Sequence, residues 1–525
     1  MKPTQEDTLA GANYKLRPDV TFAMAVACLL GVLAVSATNT VIDLDLFHQM
    51  ALFREFLANG MMPATDPFAY TPTRETVVHH EWGMGAIQYY AMVGSGLGDT
   101  GLMILKYLLT FATCLICFRV ARKNGAPHAL IVVMAPIALS VGGYIGFTNV
   151  RAQVMTLLFV ALQFWMFTCD REGKRAWVFV WIPMMIAWTN IHGGVVAGIA
   201  IFLFWAGCRF AEAKFANGWK DAIHEGRHRL GLAVILPILM CVNPWGFEYI
   251  PYLFRAVGMK RPMIGEWSSI WGSGDVALLV MFVLAIFVVT LAAISVIQKA
   301  ESRKKALSFA FPVMAITLTW IMTAKNMRHA SIFAVTWICY APMLISRTPF
   351  HQWVGQSLSN NQDAIKKASW GVAMLALAMA CNAKFWAVNV PAHRGDAPLG
   401  SPVYPVHAVD FIQEHHIDGN MMVWFNDGAY VSWHLFPHVK VSLDSRYEVA
   451  YPHGAVEESV AFFNAENNWR ETLSKYPTDL VLAPMSTPIA SVMRDAIENG
   501  TLAWEVIYSD DSFTLFQKAN QLAQN

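Results

Sequence analysis

The stretch DVALLVMFVLAIFVVTLAAISVIQ (residues 275–298) contains a single charged residue, Asp275, at its first position. A helix of this length and composition can cross a bilayer, since a crossing needs about 20 apolar residues. Similar runs recur along the chain, of whose 525 residues 55% are hydrophobic and 14% are charged. Soluble domains carry about 25% charged residues. The composition therefore predicts a polytopic α-helical membrane protein. The formal net charge of +1 identifies no partner, and we expect no nucleic acid.

Eleven apolar runs are candidate spans: 20–40, 102–118, 128–147, 152–169, 176–190, 193–210, 230–244, 275–298, 306–323, 329–346 and 368–388. Lysine and arginine collect on the cytoplasmic side of membrane proteins. With the N-terminus inside, the inner segments hold about 21 of these residues and the outer loops about 8. This bias predicts a cytoplasmic N-terminus. The run at 84–98 is too short to cross, and we interpret it as an interfacial or re-entrant helix.

The chain changes character at about residue 389, where it becomes polar and rich in turn residues. Helix-like and strand-like periods alternate in this segment, and WEVIYSDDSFTLFQ reads as a hairpin that turns at Asp510 and Asp511. We therefore predict a transmembrane domain at 1–388, with a first outer loop at 41–83, and an extracytoplasmic α/β domain at 389–525.

Polar residues collect at the predicted outer ends of the spans: Asp43, Asp45, His48, His79, His80, Glu81, Arg151, His192, Glu266, Lys325, Arg328 and His329. A charge at membrane depth costs about 2.5–3.5 kcal/mol on insertion scales and usually faces a cavity or a partner. Arg151, Lys325 and Arg328 also run against the positive-inside bias. A bound phosphate would explain them, because guanidinium groups match phosphate bidentately.

The spacing of the acids has two interpretations. On a strand, Asp43 and Asp45 would share a face, whereas on a helix Asp45 would share its face with His48. The segment MALFREFLANG that follows is helical in pattern, with Gly60 as its C-cap.

Plainer interpretations stay open for the other residues. Arg151 and Arg328 could snorkel or form a structural ion pair, and His192 could cap a helix. Asp43 could be a solvated loop acid. The triplet His79–Glu81 leaves a divalent metal possible, although adjacent histidines chelate poorly without other ligands.

The order of the motifs resembles that of bacterial integral-membrane glycosyltransferases of the GT-C superfamily. The resemblance is carried by D-x-D and a nearby His after the first span, then NGMMPATDPFAYTP, HEW, NVRAQ, NIHGG, NPWG, KNMRH and WFNDGAYVSWHLFP…KVSLDSRYEVAYP. NVRAQ departs from the usual Arg-Pro-Gln at Ala152. The resemblance implies a polyprenyl-phosphate-linked sugar as donor and a glycan, lipid or protein as acceptor. It also implies a multi-pass protein of the bacterial inner membrane with a periplasmic C-terminal domain, and no definite cofactor.

The resemblance further implies an acidic catalytic residue in the first outer loop, which maps onto Asp43 or Asp45. A carboxylate there can accept the proton of the acceptor hydroxyl. The phosphate leaving group needs fixed positive charge. The candidates are Arg151, Lys325 and Arg328, with His192 and His329 as helpers. In the outer domain, Asp444 and Arg446 would bind the acceptor or form a structural pair that holds this domain to the membrane part.

Two other classes remain. One is a surface-polysaccharide polymerase or ligase that uses lipid-diphosphate oligosaccharides. The other is a transporter or flippase, which would place ionisable groups near the midplane, often in two repeated halves. Here the ionisable groups crowd one face and no repeat is visible, which argues against transport.

Overall fold

The computed structural model describes residues 16–37, 40–142, 151–259, 264–300, 302–381, 386–397, 402–452, 454–466 and 469–519. The chain forms two compact units. Unit 1 comprises Met1–Thr40, Met103–Asn243 and Met259–Ala387, and unit 2 comprises Val41–Leu102, Pro244–Gly258 and Val388–Asn525.

The helices in chain order are α1 (Pro18–Ala37), α2 (Leu44–Asn59), α3 (Trp82–Tyr89), α4 (Asp99–Lys123), α5 (His128–Gly142), α6 (Gln153–Arg171), α7 (Trp177–Ile191), α8 (Val195–Asn217), α9 (Trp219–Met240), α10 (Tyr249–Gly258), α11 (Val276–Gln298), α12 (Arg303–Leu307), α13 (Ala310–Lys325), α14 (Ala330–Ile345), α15 (Pro349–Asn360), α16 (Gln362–Ala380), α17 (Val406–Glu414), α18 (Gly428–Leu435), α19 (Ala455–Phe463), α20 (Trp469–Lys475) and α21 (Pro488–Glu498). The strands are β1 (Gly419–Val423), β2 (Val439–Val441), β3 (Leu480–Pro484), β4 (Trp504–Ser509) and β5 (Phe513–Lys518).

Every predicted span overlaps one of these helices. Among the described residues, α1, α4, α6, α8 and the Leu278–Gln298 part of α11 are long and apolar enough to cross a membrane, and α7 and α13 are shorter apolar helices. Residues 38–39 of the first predicted span, 143–147 of the third and 382–385 of the last lie outside the described residues. The predicted fold class, a polytopic helical membrane protein with a C-terminal α/β domain, is confirmed.

The helices of unit 1 differ in what surrounds them. In the most apolar stretch of α6, 83% of the residues are buried, against 33% in α11, although α11 is the more apolar helix. Every residue of α14 is buried, and α14 packs against α5, α6, α11 and α13. A helix that exposes its most apolar side chains is suited to lipid rather than to water. The core of unit 1 therefore lies around α6 and α14.

Unit 2 is built on a mixed five-stranded sheet with the strand order β2-β1-β3-β5-β4. The β1 strand pairs in parallel with β2 and β3, and β5 pairs antiparallel with β3 and β4. The predicted hairpin is present, since β4 and β5 pair antiparallel. At its turn, Oδ1 of Asp510 accepts the backbone N–H groups of Ser512 and Phe513, both at 2.7 Å. The pattern 456–476 predicts one helix, but the structure has α19 and α20, with Ala465 at a φ of 54° between them.

The first outer loop, assigned from sequence to the transmembrane domain, belongs to unit 2. Ala69 forms a parallel bridge with Val441, whose backbone N–H donates to Phe68 O at 3.0 Å and whose C=O accepts from Tyr70 N at 3.1 Å. The physical reason is the short edge strand β2, whose open backbone groups need partners. The residues around Ala69 supply them. The segment 84–98, predicted as an interfacial or re-entrant helix, is formed by α3 and a π-helical turn at Tyr90–Gly94. The two together are too short to cross a bilayer.

Candidate functional site

The D-x-D motif lies at the N-terminus of α2. Asp43 is the N-cap, with extended backbone, and its Oδ1 accepts the N–H of Asp45 at 3.1 Å. At the other end, Gly60 has a φ of 73° and donates its N–H to Phe56 O at 2.8 Å. An aspartate N-cap satisfies one of the open N–H groups of the first turn, and a glycine readily adopts the left-handed C-cap. The helical interpretation of this motif is therefore the one that the structure has.

Asp45 and His48 face each other one turn apart, with 4.0 Å between Oδ1 and Nδ1. The Asp45 side chain is 42% exposed, whereas that of His48 is 12% exposed. Burial, and after it the charge of Arg446, lowers the pKa of His48 to about 3. The imidazole is thus neutral near pH 7 and does not neutralise the carboxylate of Asp45.

The residue before Asp43 is held at both of its backbone groups. Ile42 N donates to Asn389 O at 3.2 Å, and the buried Tyr404 hydroxyl donates to Ile42 O at 2.7 Å. The Phe47 ring packs edge-on against Tyr404 and Tyr430, with centroids 5.5 and 5.0 Å apart. Sequence reasoning missed Tyr404, because nothing local links it to a residue more than 300 positions earlier.

His80 and Glu81 join three helices of unit 2. The Tyr252 hydroxyl on α10 is hydrogen-bonded to Nδ1 of His80 at 2.8 Å, and Nε2 of His80 lies 3.3 Å from Oε1 of Glu81. Gln49 on α2 donates to Oε2 of Glu81. These contacts connect α10 and the start of α3 to the helix that carries the two acids.

His79 is 4% exposed and its ring centroid lies 5.9 Å from that of Trp245. Burial, and next the charge of Arg446, lowers its pKa to about 3. Among the described residues, no group of three or more His, Cys, Asp or Glu side chains is arranged to hold a metal ion. The contacts of the triplet at 79–81 are those of packing and hydrogen bonding.

Arg446 is enclosed by two carboxylates. Its Nε and Nη2 donate to Asp444 at 2.6–2.9 Å. Its Nη1 and Nη2 also donate to Asp66, and the Nη2 bond to Asp66 is 3.1 Å long. The three side chains are 0–2% exposed. Burial opposes the charge, but the two carboxylates raise the pKa of Arg446. This geometry offers no exposed group to an acceptor. It joins the sheet domain to the first outer loop, as a structural pair would, and it adds Asp66, which the sequence did not single out.

In unit 1, two arginines converge on one carboxylate. Arg151 donates through Nη1 to Oε2 of Glu266 at 2.9 Å and through Nη2 to Oε1 at 3.2 Å, and Nη1 of Arg328 lies 3.6 Å from Oε1. The Arg328 guanidinium also lies 4.5 Å from the ring centroid of Trp267. Burial alone would raise the pKa of Glu266, but the charges of Arg151 and Arg328 lower it to about 2. We call Arg151, Arg328, Glu266, His192 and His329 the arginine cluster.

His192 ends α7 and is 7% exposed. Its Nδ1 accepts the N–H of Gly194 at 2.9 Å and lies 2.8 Å from Oγ1 of Thr156. A ring nitrogen that accepts a backbone N–H carries no proton, so the proton is on Nε2. A Cβ at Gly194 would lie 2.5 Å from Oγ1 of Thr156, which explains the glycine in this turn. His192 thus caps the helix, and its neutral ring lies near the Glu266 carboxylate.

His329 follows Arg328 in a 3-10 turn, Met327–His329, directly before α14. Backbone contacts hold this turn to the Glu266 loop, since Met327 N donates to Ser268 O at 2.9 Å. Lys325 is exposed at the end of α13 and, within the described part of the chain, makes no hydrogen bond or ion pair to the cluster. The structure therefore brings together four of the five predicted phosphate-binding residues, and adds Glu266 as their partner.

No known family model matches the chain, and no curated protein matches its sequence. Solved structures do resemble it. One is the Archaeoglobus fulgidus oligosaccharyltransferase tethered with an acceptor peptide, with a TM-score of 0.56 and 11% identity over 95% of this chain and 74% of that chain. Another is the arabinofuranosyltransferase AftD from Mycobacteria, with a TM-score of 0.53 and 11% identity over 97% of this chain and 42% of that chain. ArnT from Cupriavidus metallidurans bound to undecaprenyl phosphate has a TM-score of 0.48, with 13% identity over 96% of this chain and 99% of that chain. The chain thus has the fold that the oligosaccharyltransferase and arabinofuranosyltransferase structures share.

Proposed function

We propose that this chain is a membrane glycosyltransferase that moves a sugar from a polyprenyl-phosphate donor to an acceptor hydroxyl at the outer face of the bacterial inner membrane. The observation that carries the proposal is the arginine cluster, which presents two guanidinium groups and a neutral histidine donor around one carboxylate. The fold supports it, because the oligosaccharyltransferase with its tethered acceptor peptide and the arabinofuranosyltransferase share this fold.

The cluster favours a monophosphate donor over a diphosphate. Two arginines and Glu266 leave a net charge of +1, and His192 adds none because its Nδ1 accepts a backbone N–H. A polyprenyl-phosphate sugar is a phosphodiester with one negative charge, whereas a lipid-diphosphate oligosaccharide carries two. The two-pronged contact of Arg151 with Glu266 is the geometry that a phosphate accepts. The polymerase or ligase alternative is the less well supported of the two for this reason.

We assign the general base to Asp45. In an inverting transfer, the acceptor oxygen attacks the anomeric carbon while its proton passes to a carboxylate. The bond from that carbon to the phosphate oxygen breaks, and polyprenyl phosphate leaves as an anion stabilised by the arginines. Asp45 suits the base because its side chain is 42% exposed beside the neutral His48. The Asp43 carboxylate is engaged at the helix cap.

The test compares Asp45→Asn with Asp43→Asn in the purified full-length protein. Asparagine is as good an N-cap as aspartate, so Asp43→Asn keeps the cap and removes only the charge. We expect Asp45→Asn to lose about 10²–10⁴ in turnover of synthetic polyprenyl-phosphate hexoses and pentoses, with bacterial membranes as the acceptor source. Binding of undecaprenyl phosphate and the melting temperature should stay near wild type.

If Asp43→Asn is the inactive variant and Asp45→Asn is not, the base is reassigned to Asp43. Wild-type turnover in both variants would refute a catalytic role for the motif. If the wild-type protein transfers sugar only from lipid-diphosphate donors, the monophosphate assignment is wrong.

A further inference from the structure

A cavity of about 410 Å³ lies at the ends of α6 to α9 in unit 1. Its wall includes Arg175, Asp221, His224, Glu225, Arg227 and His228. None of these residues belongs to the arginine cluster or to the D-x-D motif. The wall therefore carries two arginines, two carboxylates and two histidines that the proposed reaction does not use.

One side of the wall is anchored by a buried carboxylate. Asp170 has a fully buried side chain whose Oδ1 lies 2.7 Å both from Nη1 of Arg175 and from Nε2 of His228. Its Oδ2 accepts from Nη1 of the buried Arg229 at 2.8 Å. Arg175 and His228 are thus held in orientation before any ligand arrives.

Other groups on the wall have donors to offer. Within the described residues, Arg227 and His224 make no hydrogen bond or ion pair, and Nδ1 of His228 has no hydrogen-bond partner. Glu225 is already paired with Arg209 at 3.2 Å, while Asp221 has no ion pair in the described part of the chain. Among the described residues, the cavity therefore combines a cation, Arg227, and an anion, Asp221, that have no ion-pair partner.

The predicted topology places the cavity near the lipid headgroups. Seven of the eleven residues from Trp219 to Arg229 are charged residues or histidines, and the predicted span begins at residue 230. Trp219 is 60% exposed and Nζ of Lys214 lies 3.9 Å from its ring centroid. Tryptophan and lysine at the end of a span are typical of the membrane–water interface.

An exposed apolar stripe runs along the same face of α9 directly after Arg227. Leu230, Val234 and Ile238 are 62%, 69% and 67% exposed. Spacings of three and four residues place them on one helix face with Arg227. A ligand bound at Arg227 would therefore have room for an acyl chain along this stripe.

We propose that this cavity binds a phospholipid with a zwitterionic, amine-bearing headgroup. Its phosphate would contact Arg227 and Arg175, its ammonium would contact Asp221, and one acyl chain would follow Leu230 to Ile238. The balance of two arginines and two carboxylates fits a headgroup that carries both charges better than an anionic one. By the predicted topology, the lipid belongs to the cytoplasmic leaflet. The proposal does not depend on the glycosyl-transfer reaction.

The test is native mass spectrometry of the purified full-length protein after exchange into equal amounts of phosphatidylethanolamine, phosphatidylcholine and phosphatidylglycerol. We expect phosphatidylethanolamine to be retained preferentially. Arg227→Gln should lower its retention about tenfold, the effect of losing one charge-assisted hydrogen bond. Asp221→Asn should remove the preference for ethanolamine over choline. Lys220→Gln, an exposed lysine on the same helix that does not line the cavity, should change neither.

Equal retention of the three lipids, unchanged by Arg227→Gln, would mean annular contact only and would overturn the proposal. Preference for phosphatidylglycerol would overturn the zwitterionic headgroup. Displacement of the bound lipid by millimolar inorganic phosphate would show that the cavity takes a free phosphate instead. The melting temperature of each variant, measured alongside, separates loss of lipid from loss of fold.

Discussion

Each unit of this protein holds a cluster of arginine and carboxylate, and the two clusters differ in charge balance and exposure. In unit 2, Arg446 has two carboxylates, and all three side chains are 0–2% exposed. In unit 1, Arg151 and Arg328 share one carboxylate, and the side chains are 12–20% exposed. An enclosed cluster with excess negative charge has nothing to offer an anion. A partly open cluster with one excess positive charge can attract an anion. The same residue types therefore serve structure in one unit and suit binding in the other.

The largest effect should come from removing the charge at the centre of the enclosed cluster. Arg446→Met leaves Asp444 and Asp66 buried beside each other without a cation. Breaking a buried pair in this way costs about 3–5 kcal/mol. We expect a large fall in the melting temperature of unit 2 in the detergent-solubilised protein. Arg255→Met, at an exposed arginine of the same unit, is the control and should be near neutral. A stable Arg446→Met variant that has lost only acceptor use would reverse the structural assignment.

The next effect concerns pH. Burial lowers the pKa of His79 to about 3 from an unfolded value near 6.5. The unfolded chain therefore binds the proton first, and the stability that neutral His79 contributes is lost as pH falls from about 6.5 towards 3. At pH 4 this amounts to about 3 kcal/mol.

A melting series from pH 7 to pH 4 measures this loss. His79→Phe keeps a ring beside Trp245 but cannot be protonated, so its curve should be flatter than that of wild type. His407→Phe, at an exposed histidine of unit 2, is the control for the substitution itself. Parallel curves for wild type and His79→Phe would contradict the buried neutral state.

In the open cluster, the effect should be on ligand rather than fold. Arg151→Gln removes the bidentate group, and we expect the affinity for undecaprenyl phosphate to fall about 10–100-fold. The melting temperature should change far less than in Arg446→Met. Lys325→Gln is the matched comparison, because Lys325 was predicted to bind phosphate but makes no contact with the cluster in the described structure. If the two variants bind alike, the cluster is not the phosphate site.

The smallest effect tests the resident carboxylate. Glu266→Gln keeps the shape of the side chain and raises the net charge of the cluster from +1 to +2. We expect undecaprenyl phosphate to bind a few-fold more tightly, with the gain shrinking at high salt because added ions screen partly exposed charges. Weaker binding would mean that Glu266 orients the arginines for the ligand instead of competing with it.

The sequence by itself determined the features that depend on neighbours along the chain. Apolar run length placed the helices, Gly60 and Asp43 set the ends of α2, and the Asp510 turn set the last hairpin. The order of motifs predicted the fold that the solved structures share, and the polar residues of the outer turns included the members of the arginine cluster. The helices, their ends and the hairpin depend on propensity, capping or period, which a few consecutive residues establish.

Only the tertiary structure decided which of these residues meet. Glu266 lies 115 positions from Arg151, and Asp66 lies 380 positions from Arg446. The Tyr404 hydroxyl donates a hydrogen bond to Ile42, 362 positions earlier in the chain. The first outer loop pairs with β2 through the bridge between Ala69 and Val441. Local patterns carry no information about such pairs, because their energy comes from burying a charge or an open strand edge beside one particular partner. Packing of the whole chain selects that partner.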